Sequence, residues 1–123
     1  MVELGKITIL SIVYDDGDEI LSGFKKALSE NNVQKCRIIS VEGKIKAFDI
    51  NIFVGGAFTP RHLDEEYRLT SIHGVFFEKG NLGYKGEMTV SLAGDGHKML
   101  GGDLIQAKAS GTVTIKAEVL ESK

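Results

Sequence analysis

Gly86-Glu87-Met88-Thr89-Val90-Ser91-Leu92-Ala93-Gly94-Asp95-Gly96-His97-Lys98-Met99-Leu100-Gly101-Gly102-Asp103-Leu104 is the stretch that decides the fold. Met88, Val90 and Leu92 alternate with Glu87, Thr89 and Ser91, the period of two expected when one strand face is buried and the other meets water. Ala93-Gly94-Asp95-Gly96 then signals a hairpin, because glycine takes the positive backbone angles of tight turns. Met99 and Leu100 begin a return strand that Gly101-Gly102 interrupts and Leu104, Ile105 and Ala107 continue. Val113, Ile115, Ala117 and Val119 alternate again and give the last strand.

Toward the N-terminus the period changes once. Ile7, Ile9, Ile12 and Val13 form a β-branched segment ended by Tyr14-Asp15-Asp16-Gly17, a first strand running into a turn. Ile20, Leu21, Phe24, Ala27 and Leu28 recur at helical spacing, with Glu19, Lys25, Lys26 and Glu30 on the other side. Asp16 and Glu19 have the spacing of a capping box, and Asn31-Asn32 is the stop, so a helix is predicted over about residues 18 to 31. Cys36 to Val41 is a short apolar run, and Phe48, Ile50, Ile52 and Val54 alternate as the next strand. Gly55-Gly56-Ala57 opens a predicted mobile loop carrying Pro60, Arg61, His62 and Asp64-Glu65-Glu66. Tyr67, Leu69 and Ser71 lead into Ile72 to Phe77, a strand expected to be buried on both faces for part of its length. Gly80 and Gly83 flank a turn. The expectation is an α+β fold: a mostly antiparallel sheet of six to seven strands with one principal helix near the N-terminus.

Bulk properties narrow the function classes. A chain of 123 residues has the size of one domain, so 1–123 is read as a single unit. The formal net charge of -2 and the absence of long like-charge runs leave no basic stripe for a phosphate backbone. Cys36 is the only cysteine, which rules out an intrachain disulfide and fits a reducing, cytoplasmic setting. Its apolar neighbours Ile38 and Ile39 make it a small core residue before a reactive thiol. The apolar stretch after Met1-Val2-Glu3-Leu4-Gly5-Lys6 is too short to span a bilayer and has no small-residue cleavage site, so no membrane partner is expected.

Several segments resemble the PPC domain family. Gly17-Asp18-Glu19-Ile20 is similar to the start of the family's helix with its two acids exchanged, and Leu69-Thr70-Ser71-Ile72-His73-Gly74 is similar to its Leu-Ser-Leu-x-Gly strand. Val90-Ser91-Leu92-Ala93, the Gly94-Asp95-Gly96 turn and Leu100-Gly101-Gly102-Asp103-Leu104 resemble its strand, Asp-Gly turn and Gly-Gly-His-Leu. The resemblance runs in order from about Lys6 to Leu120 and is of the prokaryotic, single-domain type without an AT-hook. It implies a mixed sheet with one packed helix, and a homotrimer. Many prokaryotic members of the family carry a His-x-His strand and a Gly-Gly-His whose imidazoles can gather around a metal. Here Glu87-Met88-Thr89 and Asp103 stand in those places, so no cofactor is expected and the family-type metal site is read as lost, because zinc needs at least three protein ligands. Some relatives are labelled DNA-binding, which neither the charge nor any motif of this chain supports.

Candidate residues divide accordingly. Thr89, Gly101, Gly102 and Asp103 are the ligand or interface candidates. The two glycines lack the strand, turn and helix order of a phosphate loop and read as a bulge or a close backbone approach, such as one subunit packing on the next. Glu87, Asp95 and Asp103 could form a carboxylate pair for acid–base work or a hard cation, although acids at hairpin ends more often form turns. His62, His73 and His97 have no ligand spacing, and surface or satisfied roles outweigh a shared metal site. No serine sits in a Gly-x-Ser-x-Gly elbow. No catalytic residue is assigned. The leading expectation is a non-enzymatic assembly or regulatory homotrimer, with a small-ligand or metal-dependent enzyme at a subunit interface as one alternative and a DNA-binding protein, by family label alone, as the other.

Overall fold

Glu19, rather than Asp16, starts the helix. In the computed structural model, which describes residues 7–123, α1 spans Ile20–Glu30 and Glu19 is its N-cap. The Glu19 carboxylate accepts from the Ser22 backbone N–H at 2.5 Å and from its hydroxyl at 2.7 Å, satisfying one of the open donors of the first turn. Asp16 is drawn elsewhere: it accepts from the Gly111 N–H and from Lys46, each at 2.8 Å. Asn31 closes the helix as expected, with its side-chain amide on the Ala27 carbonyl at 2.7 Å. Ile20, Phe24 and Leu28 are buried on one stripe, and each contributes about 1.5–3 kcal/mol of transfer free energy. The Phe24 ring meets Phe76 edge-on at 4.9 Å between centroids, joining the helix to the sheet. Met1–Lys6, read above as a start without a cleavage site, lies outside the described residues.

Among the described residues eight strands form one sheet, one more than the upper expectation. They are β1 (Thr8–Tyr14), β2 (Val33–Val54), β3 (Ala57–Leu63), β4 (Tyr67–His73), β5 (Val75–Glu78), β6 (Tyr84–Gly86), β7 (Met88–Ala93) and β8 (Met99–Ser122). The pairings are antiparallel, in the order β1-β8-β7-β4-β2-β5-β6, with β3 on β2 and a further pairing of β8 with β2. Because β2 pairs with both β8 and β4, the circuit β2–β8–β7–β4 closes on itself. Ile45, Phe48, Ile50, Ile72, Met88, Val90, Leu92 and Ile115 fill its inner side, and α1 covers part of the rest.

The differences from the sequence expectation have local causes. The two strands expected between residues 36 and 54 are one strand, β2, whose register against β8 shifts repeatedly; Ala47, at φ 45°, lets the chain bulge without leaving the ladder. The expected return and last strands are likewise one strand, β8. The predicted mobile loop is strand β3: Gly55 and Gly56, at φ 60° and 84°, make a two-residue turn and the ladder runs from Val54↔Ala57 to Phe48↔Leu63. Pro60 is tolerated there because β3 lies at an edge. The strand expected to continue from Ile72 to Phe77 divides at Gly74, whose carbonyl accepts from the Ile38 N–H at 2.9 Å. Burial on both faces does not hold: Phe76 is buried, but Val75 and Phe77 are 44% and 42% exposed. The β7–β8 connection is a short 3-10 turn, Asp95–His97, and a second one, Gly80–Leu82, lies between β5 and β6. Among the described residues no helix is long and apolar enough to cross a membrane.

Candidate functional site

Thr89 and Asp103 sit directly opposite each other on β7 and β8, and the ladder extends their line in both directions. Thr89 is opposite His73 of β4, and Asp103 is opposite Asn51 of β2. Their chain neighbours Ile72, Met88, Val90, Leu104 and Ile50 point into the core, so alternation puts the polar row His73–Thr89–Asp103–Asn51 on the outer face. The Thr89 hydroxyl donates to Asp103 Oδ1 at 2.7 Å. Beside His73, between β2 and β4, lies an open cleft of about 260 Å³ lined by Ser40, Thr70 and Ser71 among others. It arises because β2 and β4 pair only at Lys44↔Arg68 and Ile45↔Tyr67.

The two glycines of the candidate set differ. Gly101 is exposed opposite Ser91, and a Cβ there would meet only the Val90 carbonyl oxygen at 3.5 Å. A Cβ on Gly102 would collide with the Asn51 carbonyl oxygen, so the close approach anticipated from the sequence is made within the chain, between β8 and β2. Glu87 lies between β6 and β7, outside the row, and Asp95 lies in the turn beyond β7. Asp95 instead lines a small polar recess with Lys44, Glu66 and Arg68. The carboxylate pairing considered from the sequence is therefore not formed by Glu87, Asp95 and Asp103.

One cluster was missed by sequence reasoning. His62 Nδ1 is 2.7 Å from Asp49 Oδ1, and its Nε2 is 2.7 Å from Asp64 Oδ1. Gln106 of β8 donates to the other oxygen of Asp49. The two carboxylates raise the His62 pKa above the usual imidazole value, the Asp49 hydrogen bond being the larger cause, and Asp49 is lowered mainly by its bond to His62. The signal was available: counting back from the Gly55-Gly56 turn places Asp49 opposite His62.

Other reactive groups are occupied or hidden. Cys36 is fully buried, and burial pushes its thiol up to about 11, so the thiolate is scarce at neutral pH. The Tyr14 hydroxyl donates to the Ile20 carbonyl at 2.9 Å; burial first, then Glu19 and Asp18, raises its pKa. The Glu19 carboxylate, which borders a groove between β1 and α1, is used in capping the helix. Among the described residues no group of three or more His, Cys, Asp or Glu is placed to hold a metal ion, so His62, His73 and His97 do not converge on one.

These features define a class: a small antiparallel domain, one helix on a partly closed sheet, with a polar row on its outer face and an exposed edge hairpin. The model of the Plants and Prokaryotes Conserved (PCC) domain matches residues 1–121, and the chain belongs to that family. No curated protein matches the chain. Among solved structures, a plant- and prokaryote-conserved (PPC) protein from Pyrococcus horikoshii is 19% identical with a TM-score of 0.77, over 99% of this chain and 87% of that one. A metal-containing protein from Archaeoglobus fulgidus is 20% identical with a TM-score of 0.77, over 98% and 84%. A candidate DNA-binding protein from Bacteroides thetaiotaomicron is 16% identical with a TM-score of 0.78, over 99% and 84%. At these identities the likeness establishes the shared fold. A metal does not fit the row as it stands: Thr89 offers a hydroxyl already given to Asp103, and one carboxylate with one distant imidazole falls short of a zinc donor set.

Proposed function

We propose that the chain is a self-assembling module, a homotrimer with an assembly or regulatory role rather than a catalytic one, acting in the cytoplasm as one domain over residues 1–123. The observation that carries this is the arm made by β3 and the end of β2. Every residue of β3 from Ala57 to His62 is exposed, Phe58 by 61%, and among the described residues β3 is paired along one edge only. An open, partly apolar edge strand is a template for pairing with another chain. Met99 and Ile105 of β8, 68% and 46% exposed, add apolar surface to the same molecule. The number three comes from the family resemblance. A non-catalytic role is supported by the engagement of the reactive groups: Asp103 by Thr89, both nitrogens of His62 by carboxylates, Cys36 by burial. Light scattering on the purified chain tests the proposal, with a mass near three times the 13.4 kDa protomer expected.

A second reading is favoured by the His73–Thr89–Asp103 row: a small polar ligand turned over or held in the cleft beside it. Melting curves with zinc, magnesium and manganese test its metal-dependent form, since a ligand that binds the folded state raises its melting temperature. No shift with any of the three removes that form. Direct DNA binding, the role proposed for the Bacteroides relative, is opposed here by the net charge of -2. It would show as a salt-dependent affinity for duplex DNA, and no binding at low salt removes it.

A further inference from the structure

The base of the β2–β3 arm is tied by three side chains from three strands. Asp49 of β2 lies opposite His62 of β3 on one side and opposite Gln106 of β8 on the other. Gln106 holds one oxygen of Asp49, His62 Nδ1 approaches the second at 2.7 Å, and His62 Nε2 reaches Asp64, just beyond β3, at 2.7 Å. A neutral imidazole has a single N–H, so it can donate to one of these carboxylates only; both contacts are hydrogen bonds when the ring carries two protons. Further along the paired strands, Lys46 of β2 is opposite Lys108 of β8, and Lys46 is engaged by Asp16. Among the described residues Asp49 and Asp64 are the charges that act on the ring.

We infer that His62 is a proton-operated latch: doubly protonated, it holds the base of β3 to β2 through Asp49 while Asp64, two residues along the chain, bonds its other nitrogen, and on losing a proton it gives up one of the two bonds and loosens the arm. Insofar as the latch controls assembly, it rests on the arm being the docking element. The direction follows from linkage. His62 is raised above its usual value of 6.5, so its contribution is fully present below 6.5 and is lost as pH rises through the raised value. Asp49 is lowered from its usual 3.8, so its contribution is present above 3.8 and is lost as pH falls through the lowered value. The latch is closed in mildly acidic solution and opens toward alkaline pH.

The test is NMR on the full chain between about pH 5.5 and 9, following the His62 ring and the exchange protection of the β3 amides. The wild type should show a His62 midpoint above 6.5 and a fall in β3 protection of about tenfold or more across it, and His62→Gln should show no such pH-dependent fall. Asp64→Asn, which keeps the histidine, should bring the midpoint down. A midpoint at or below 6.5, or an equal fall in His62→Gln, overturns the latch. Light scattering on the same samples separates the claims. A monomer at every pH overturns the assembly reading, and a constant trimeric mass while β3 protection falls overturns the latch's control of assembly alone.

Discussion

The Thr89 hydroxyl donates to Asp103 Oδ1 across 2.7 Å, from directly opposed positions of β7 and β8. A threonine and an aspartate thereby engage each other on the outer face. The pair ties neighbouring strands and leaves a donor set too poor for zinc.

Placing imidazoles at these positions should supply the missing donors. The triple variant Glu87→His, Thr89→His, Asp103→His is expected to gain zinc binding, with stabilisation of about 2.7 kcal/mol at a metal concentration one hundred times its Kd. The wild type should show no zinc-dependent change in melting temperature. Differential scanning fluorimetry with and without zinc makes the comparison, and equal responses from both proteins would refute it.

Gly101 and Gly102 should separate cleanly under alanine substitution. Gly102→Ala forces a methyl group against the Asn51 carbonyl and should cost about 1–3 kcal/mol, whereas Gly101→Ala makes only an ordinary contact with the Val90 carbonyl oxygen and should cost under about 1 kcal/mol. Urea unfolding of the two variants measures the difference.

The helix cap offers a second stability test. Removing the Glu19 carboxylate by Glu19→Ala leaves the Ser22 N–H without its acceptor and should cost about 0.5–2 kcal/mol. Asp16→Ala should leave the helix start intact, because Asp16 serves Gly111 and Lys46. Helical ellipticity through thermal unfolding reads both.

Cys36 should resist alkylation at pH 8 in the folded protein and react promptly once denaturant is added, since its thiol is buried and raised to about 11. Mass spectrometry of iodoacetamide adducts checks this.

Legibility in the sequence followed burial. α1 and β7 were readable because each buries one clean face: Ile20, Phe24 and Leu28 at helical spacing, Met88, Val90 and Leu92 at strand spacing. The length of β2 was hidden, because the polar residues around Gly43 and the bulge at Ala47 break the apolar pattern while the backbone ladder continues. β3 was hidden for a different reason. It buries almost nothing, so it carries no alternation, and its proline, with the glycines before it and the acids after it, has the composition of a loop. The row through Thr89 and Asp103 was half legible: both residues were singled out, but their direct hydrogen bond depends on register across the β7–β8 turn. The His62 cluster depends on residues 13 apart meeting across a hairpin that was not predicted.

Assembly through the arm is the central claim, and the mass of the chain in solution tests it most directly. Light scattering should give about three times 13.4 kDa for the wild type at micromolar concentration, and a single protomer mass for Phe58→Asp, whose circular dichroism should stay that of the folded sheet. A wild type that runs as a monomer of 13.4 kDa, or a Phe58→Asp variant that remains trimeric, would contradict the account.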